Sequence, residues 1–108
     1  LKGRVASLIK NGDYRDFYMH RVGHWLGMDV HDVGDYRLGE EWRLLEPGMV
    51  MTVEPGIYIG AGNTRVPKKW RGIGIRIEDN VVINDDGCEV ITGDAPKTVE
   101  EIEALMAD

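Results

Sequence analysis

From Met49 to Thr92 one strand-like segment follows another, with no helical period between them. Met49–Val53 and Ile57–Ile59 are parted by Pro55-Gly56. Gly72–Ile83 is a long run rich in β-branched residues, and Glu89–Thr92 follows the turn Asp85-Asp86-Gly87. Pro-Gly and Asp-Gly pairs punctuate strands, and β-branched residues suit a pleated, half-buried surface. Strands in direct succession favour an antiparallel α+β layer over a parallel sheet, whose strands alternate with helices. The 14 glycines, about twice the usual share, recur inside apolar segments such as GIYIGAG and RGIGIRI. That placement predicts bent strands and tight turns. Within Gly72–Ile83 a bend is expected around Asp79-Asn80.

Both ends read as helices. Leu1, Val5, Leu8 and Ile9 fall on one face of a 3.6-residue period, which predicts a helix over 1–10 with Asn11-Gly12 as its stop. No capping residue precedes it, so the chain reads as cut from a longer protein. At the other end Thr98-Val99-Glu100-Glu101 matches a capping box, and Val99, Ile102, Leu105 and Met106 form an apolar stripe. Between these ends, residues 13–38 lack a clear period and read as short extended pieces and loops. Residues 39–47 read as a polar connection ending in Glu46-Pro47-Gly48, and Gly60–Lys69 as a loop.

Composition narrows the function. Thirteen Lys and Arg against 19 Asp and Glu leave a formal charge of −6, which argues against a general nucleic-acid binder, since phosphate contacts need clustered cations. No apolar run approaches a membrane span, and the first ten residues are too polar for a signal peptide. The single cysteine, Cys88, excludes an internal disulfide framework and a Cys-rich zinc module. With no signal segment read in these residues, the cytoplasm is the expected location.

Three features carry potential chemistry. Alternation along residues 72–78 puts Ile73, Ile75 and Ile77 on one face and Gly74, Arg76 and Glu78 on the other, although an exposed Arg–Glu pair is commonplace. Val50, Thr52 and Glu54 share a face of the preceding strand, and Glu54 stands where that strand stops. A carboxylate at a strand end is well held and reachable, yet most glutamates are simply exposed. All three histidines, His20, His24 and His31, fall within twelve residues. His20 and His24 are four apart but lack the intervening Glu of the zinc-protease helix motif. Two carboxylates on strands, a histidine cluster and no cysteine make a donor composition for a hard or borderline ion. By spacing alone this is a possible metal site and no more.

The residues themselves resemble a known family. Met19–Gly34 (MHRVGHWLGMDVHDVG) resembles the histidine block of the proline-specific metallopeptidases, Leu45–Tyr58 (LEPGMVMTVEPGIY) their next block, and Arg71–Asp79 (RGIGIRIED) their last. Order and separation agree over almost the whole chain. The Xaa-Pro aminopeptidase (aminopeptidase P) branch matches best, including Pro96-Lys97 before a Glu-rich final helix. The Xaa-Pro dipeptidase (prolidase) branch is the alternative.

The resemblance implies an α+β fold: the C-terminal half of the pita-bread fold, a curved antiparallel sheet with flanking helices. Residues 1–108 would be one piece of a metallopeptidase catalytic domain. It implies two divalent ions, manganese first with zinc or cobalt as alternatives. His24, Glu54 and Glu78 match three of five ligands, and Glu78 matches a carboxylate that bridges both ions. The other two ligands are aspartates of an upstream block that this chain lacks. Such ions polarise a scissile carbonyl and generate the nucleophile. Glu54 matches the residue that also shuttles protons, while His20 and His31 match histidines that contact substrate and stabilise developing negative charge. Arg76 matches an arginine that orients site carboxylates. The implied reaction is hydrolysis of an N-terminal Xaa-Pro bond in a proline-containing peptide. The implied partners are the N-terminal half of the same catalytic domain and further copies in a homo-oligomer, with neither nucleic acid nor membrane involved. The 108 residues alone are expected to be inactive. A non-catalytic binding module on the same fold is a further alternative, disfavoured because all three ligands expected in this half remain.

Overall fold

The computed structural model describes residues 1–107, which divide into two compact units. The first unit comprises residues 1–21 and 55–76 and the second residues 22–54 and 77 onward. The elements are α-helices and antiparallel strands, as the succession of strand-like segments requires.

In the first unit, helix α1 spans Val5–Asn11. It begins four residues later than the apolar stripe suggests, because Gly3 within the would-be first turn favours other conformations. Gly12 ends it in the left-handed region (φ 74°, ψ 20°), its N–H donating to the carbonyls of Ile9 and Leu8. That conformation comes at little cost only to glycine. A 3₁₀ turn over Asp13–Asp16 follows.

The rest of this unit is a strand pair. Since the strands are numbered in chain order, it consists of β4 (Gly56–Ile59) and β5 (Ile73–Arg76), with β1–β3 belonging to the second unit. They pair antiparallel in the register Gly56↔Arg76, Ile57↔Ile75, Tyr58↔Gly74 and Ile59↔Ile73. The loop between them holds a 3₁₀ turn at Lys68–Trp70, and Arg71 braces it through two guanidinium bonds to the Val66 carbonyl. The Tyr58 N–H donates to the Phe17 carbonyl at 2.8 Å, tying the N-terminal segment to β4.

In the second unit, β3 (Val50–Val53), β6 (Asp79–Asn84) and β7 (Gly87–Val90) form a sheet in the order β3-β6-β7. Val50 faces Val82 and Val53 faces Asp79, while Val81 faces Val90 and Asn84 faces Gly87. Alternation along β6 buries Val81 and Ile83. A short hairpin, β1 (Arg37–Leu38) with β2 (Glu41–Trp42), lies where short extended pieces and loops meet the expected polar connection. The expected Gly72–Ile83 strand is interrupted at Ile77-Glu78, two residues before Asn80, because β5 pairs with β4 whereas β6 pairs with β3.

Helix α2 (Val99–Met106) starts at the expected capping box. The Thr98 hydroxyl accepts the Glu101 N–H at 3.2 Å, and Glu101 Oε2 accepts the Thr98 N–H at 3.0 Å. The backbone N–H groups of Thr98 and Lys97, then the Thr98 side chain and the Lys97 charge, hold the Glu101 carboxyl below the usual carboxylate range. The sign follows: a depressed folded-state pKa stabilises the helix start above the ordinary carboxyl range and ceases to do so as pH falls through the depressed value. A carbon-detected NMR titration is expected to show Glu101 protonating below free glutamate, with faster amide exchange at 99–102 once it does. Among the described residues no helix is long and apolar enough to cross a membrane.

Candidate metal centre

The second unit brings His24, Glu54 and Glu78 together. One donor atom from each lies within 4.8 Å of the others. Local structure explains the convergence. Residues 22–26 run antiparallel along the edge of β3, with Trp25 bridged to Met51. Glu54 N–H donates to the Val22 carbonyl at 2.6 Å, Thr52 N–H to the His24 carbonyl at 2.9 Å, and Leu26 N–H to the Val50 carbonyl at 3.1 Å. Gly23 permits this approach, since a Cβ there would stand 2.0 Å from the Thr52 carbonyl oxygen. Glu54 follows β3 directly and Glu78 directly precedes β6, so both carboxylates extend from the same end of that strand pair.

Thr52 is the hub, at 2% exposure. Its hydroxyl accepts the His24 N–H at 3.0 Å and donates to Glu54 Oε1 at 3.1 Å. Glu54 is 7% exposed, so one ligand carboxylate is buried and hydrogen-bonded while Glu78 is exposed.

The His24 ring points to what belongs between these groups. Its Nδ1 lies 2.9 Å from the Trp25 carbonyl, an acceptor, so Nδ1 carries the hydrogen. In the neutral ring Nε2 is then a lone pair, and it faces Glu54 Oε1 at 3.3 Å. Two acceptors at that distance are reconciled by a cation between them, a metal ion or the proton of an imidazolium. An imidazole whose second nitrogen donates to a backbone carbonyl is the usual arrangement of a metal-ligating histidine. One nitrogen and two carboxylate donors suit manganese, zinc or cobalt, and three protein ligands leave positions open. The residues present fit such an ion.

His31, exposed, packs edge-on against His24 with ring centroids 4.3 Å apart. His20 and Arg76 belong to a separate cluster in the first unit. His20 Nε2 lies 2.8 Å from the Tyr58 hydroxyl, which also accepts from Arg76 Nε at 2.7 Å, and His20 Nδ1 lies 2.6 Å from the Arg21 carbonyl. Both ring nitrogens of His20 are therefore engaged. Sequence reasoning missed Tyr58. The signal was the pair of glycines around it: a Cβ on Gly56 would stand 2.7 Å from the hydroxyl, and one on Gly74 2.9 Å from the ring. The room beside Gly74 is filled by this ring. Because β5 ends at Arg76, the expected strand face shared by Arg76 and Glu78 is not continuous.

The model of metallopeptidase family M24 matches residues 1–85, which include all six of these site residues. The chain belongs to metallopeptidase family M24. Among curated M24 relatives, the Xaa-Pro aminopeptidase of Escherichia coli K12 is 57% identical over 106 residues, covering 98% of this chain and 24% of the relative. The solved structure of Pseudomonas aeruginosa aminopeptidase PepP superposes with a TM-score of 0.95 at 70% identity, covering 99% of this chain and 24% of that one. Two structures of E. coli aminopeptidase P, one with the inhibitor Pro-Leu and one zinc-substituted with product, each give a TM-score of 0.89 at 56% identity over 98% of this chain and 24% of theirs. The chain therefore spans about a quarter of the length of these relatives. It has the fold of the corresponding segment of aminopeptidase P, with the expected antiparallel strands hydrogen-bonded in three separate sets.

Proposed function

We propose that this chain is the C-terminal half of the catalytic domain of an Xaa-Pro aminopeptidase, releasing the N-terminal residue that precedes proline. The observation that carries the reading is the His24–Glu54–Glu78 cluster, with His24 Nε2 and Glu54 Oε1 facing each other as two acceptors. The relatives' names supply the reaction and the Pro-Leu inhibitor the substrate class.

His24 through Nε2, Glu54 and Glu78 would hold two divalent ions, manganese ahead of zinc or cobalt, together with two aspartates from the rest of the protein. Bound ions supply Lewis acidity and a nucleophile at neutral pH. The chain's own groups do the remainder. Glu54, buried with its Oε1 fixed by the Thr52 hydroxyl, accepts the proton released at the attacking oxygen and returns it to the proline nitrogen as that bond breaks. His31 presents a ring N–H to a substrate oxygen that gains negative charge, and His20, its two ring nitrogens held by the Arg21 carbonyl and the Tyr58 hydroxyl, contacts substrate through its ring. Arg76 holds the Tyr58 hydroxyl in place and so positions His20. The first partner is the N-terminal half of the same domain. Leu38, Ile57, Ile75, Leu105 and other large apolar side chains are exposed in these 108 residues, more apolar surface than a free-standing domain leaves uncovered. A cytoplasmic homo-oligomer completes the proposal.

The test is the full-length protein with added manganese, given an Xaa-Pro-Xaa tripeptide and, separately, an Xaa-Pro dipeptide. Release of the first residue from the tripeptide is the expected result. Cleavage of the dipeptide alone would identify a dipeptidase, and cleavage of neither would point to a binding module. The isolated 108 residues are expected to cleave neither.

A further inference from the structure

Glu78, proposed above as a metal ligand, lies in neither β5 nor β6, so no strand ladder fixes it from both sides. The next residue is fixed firmly. Asp79 Oδ1 accepts from Lys97 Nζ at 2.5 Å and from the Thr92 hydroxyl at 2.9 Å. The same hydroxyl accepts the Asn80 N–H at 2.9 Å, and the Ile91 N–H donates to the Asn80 carbonyl at 2.9 Å. The first two residues of β6 are thus tied to residues 91–97. Asp79 is also the register partner of Val53, whose neighbour is Glu54. A further consequence concerns charge. An unpaired carboxylate beside Glu78 would be a competing ligand for a cation, and the Lys97 ammonium occupies it.

We propose that Lys97, acting with Thr92 through Asp79, is a positioning residue that aims the Glu78 carboxylate at His24 and Glu54 and keeps Asp79 from competing for the ion. The proposal rests on the metal-centre reading above. Both residues lie beyond residue 85, where the family match ends.

The experiment is calorimetric manganese titration of the full-length protein, with the Mn2+ EPR spectrum recorded alongside. Lys97→Met is expected to weaken one of the two manganese sites by about 10–100-fold, the range for losing a group that orients a ligand, and Lys97→Arg to restore most of it. Thr92→Val is expected to weaken the same site less, and it keeps the question answerable if Lys97→Met does not fold. Thr98→Ala removes the α2 cap and leaves the Asp79 contacts in place, because Lys97 meets the cap only through its backbone N–H. It is expected to bind manganese as the unmodified protein does. Equal losses in Thr98→Ala and Lys97→Met would make Lys97 merely structural and overturn the proposal. Wild-type affinity in Lys97→Met, with an ion lost in Glu78→Gln, would overturn it and leave the metal centre standing. Two unaltered sites in Glu78→Gln would overturn the metal-centre reading itself.

Discussion

Glu54→Gln in the full-length protein is expected to lower kcat on an Xaa-Pro-Xaa peptide by about 10²–10⁴-fold, the usual contribution of a general acid–base group. Loss of metal affinity adds to it. The substitution is close to isosteric, and the backbone bond from residue 54 to the Val22 carbonyl does not involve the side chain. The amide oxygen can still accept from the Thr52 hydroxyl. Its NH2 group can now donate to His24 Nε2, replacing two opposed acceptors 3.3 Å apart with a hydrogen bond. The variant should therefore unfold in chelator at the wild-type temperature or slightly above it while losing activity and metal. Thermal unfolding in EDTA beside kcat at saturating manganese separates the two effects. Wild-type turnover would remove Glu54 from the chemistry.

Gly23→Ala is expected to give the second large effect, and it requires no change in any polar group. The added methyl would stand 2.0 Å from the Thr52 carbonyl oxygen and 3.0 Å from its carbon. The obstacle is backbone that is itself hydrogen-bonded to β6, so it cannot rotate away as a side chain would. Overpacking of this kind costs about 1–3 kcal/mol. Each backbone bond lost between residues 22–26 and β3 adds about 1 kcal/mol. A lower denaturant midpoint and weaker manganese binding should appear together, since the same displacement moves His24. A wild-type midpoint would mean that residues 22–26 do not hold this close approach.

Local pattern makes some of this fold legible and leaves the rest hidden. Strand β3 and the α2 capping box could be read because alternation, Pro55-Gly56 and the Thr98/Glu101 spacing are signals carried within a few residues. The break at Ile77-Glu78 could be read only approximately, as a bend around Asp79-Asn80. Isoleucine and valine recur on both sides of it, from Ile73 to Ile83, and what divides the run is a change of partner, β4 for β5 and β3 for β6. Residues 22–26 read as short extended pieces and loops without a partner for a similar reason: a glycine-containing stretch becomes strand-like only through bonds to residues some thirty positions later. In the site, donor chemistry alone reached a possible metal centre. Resemblance to a family selected His24, Glu54 and Glu78 from the other candidates, and the structure brings those three donors together. The Thr52 hub and the Tyr58 hydroxyl went unread because each works across a strand pair, and cross-strand neighbours are not written in sequence order.

The pairing of residues 22–26 with β3 also governs which changes of length the chain can accommodate. Val22, His24 and Leu26 stand against Glu54, Thr52 and Val50 in turn. Removing or adding one residue in either segment would carry Trp25 or Gly23 into the place of His24, because side chains alternate between faces. The β1–β2 hairpin between these segments has no such constraint at its tip, where Gly39 looks onto open space. Insertions and deletions should therefore be absorbed at residues 39–40 and excluded from 22–26 and 50–54, so that the polypeptide between the two halves of the cluster can change in length while the cluster keeps its phase.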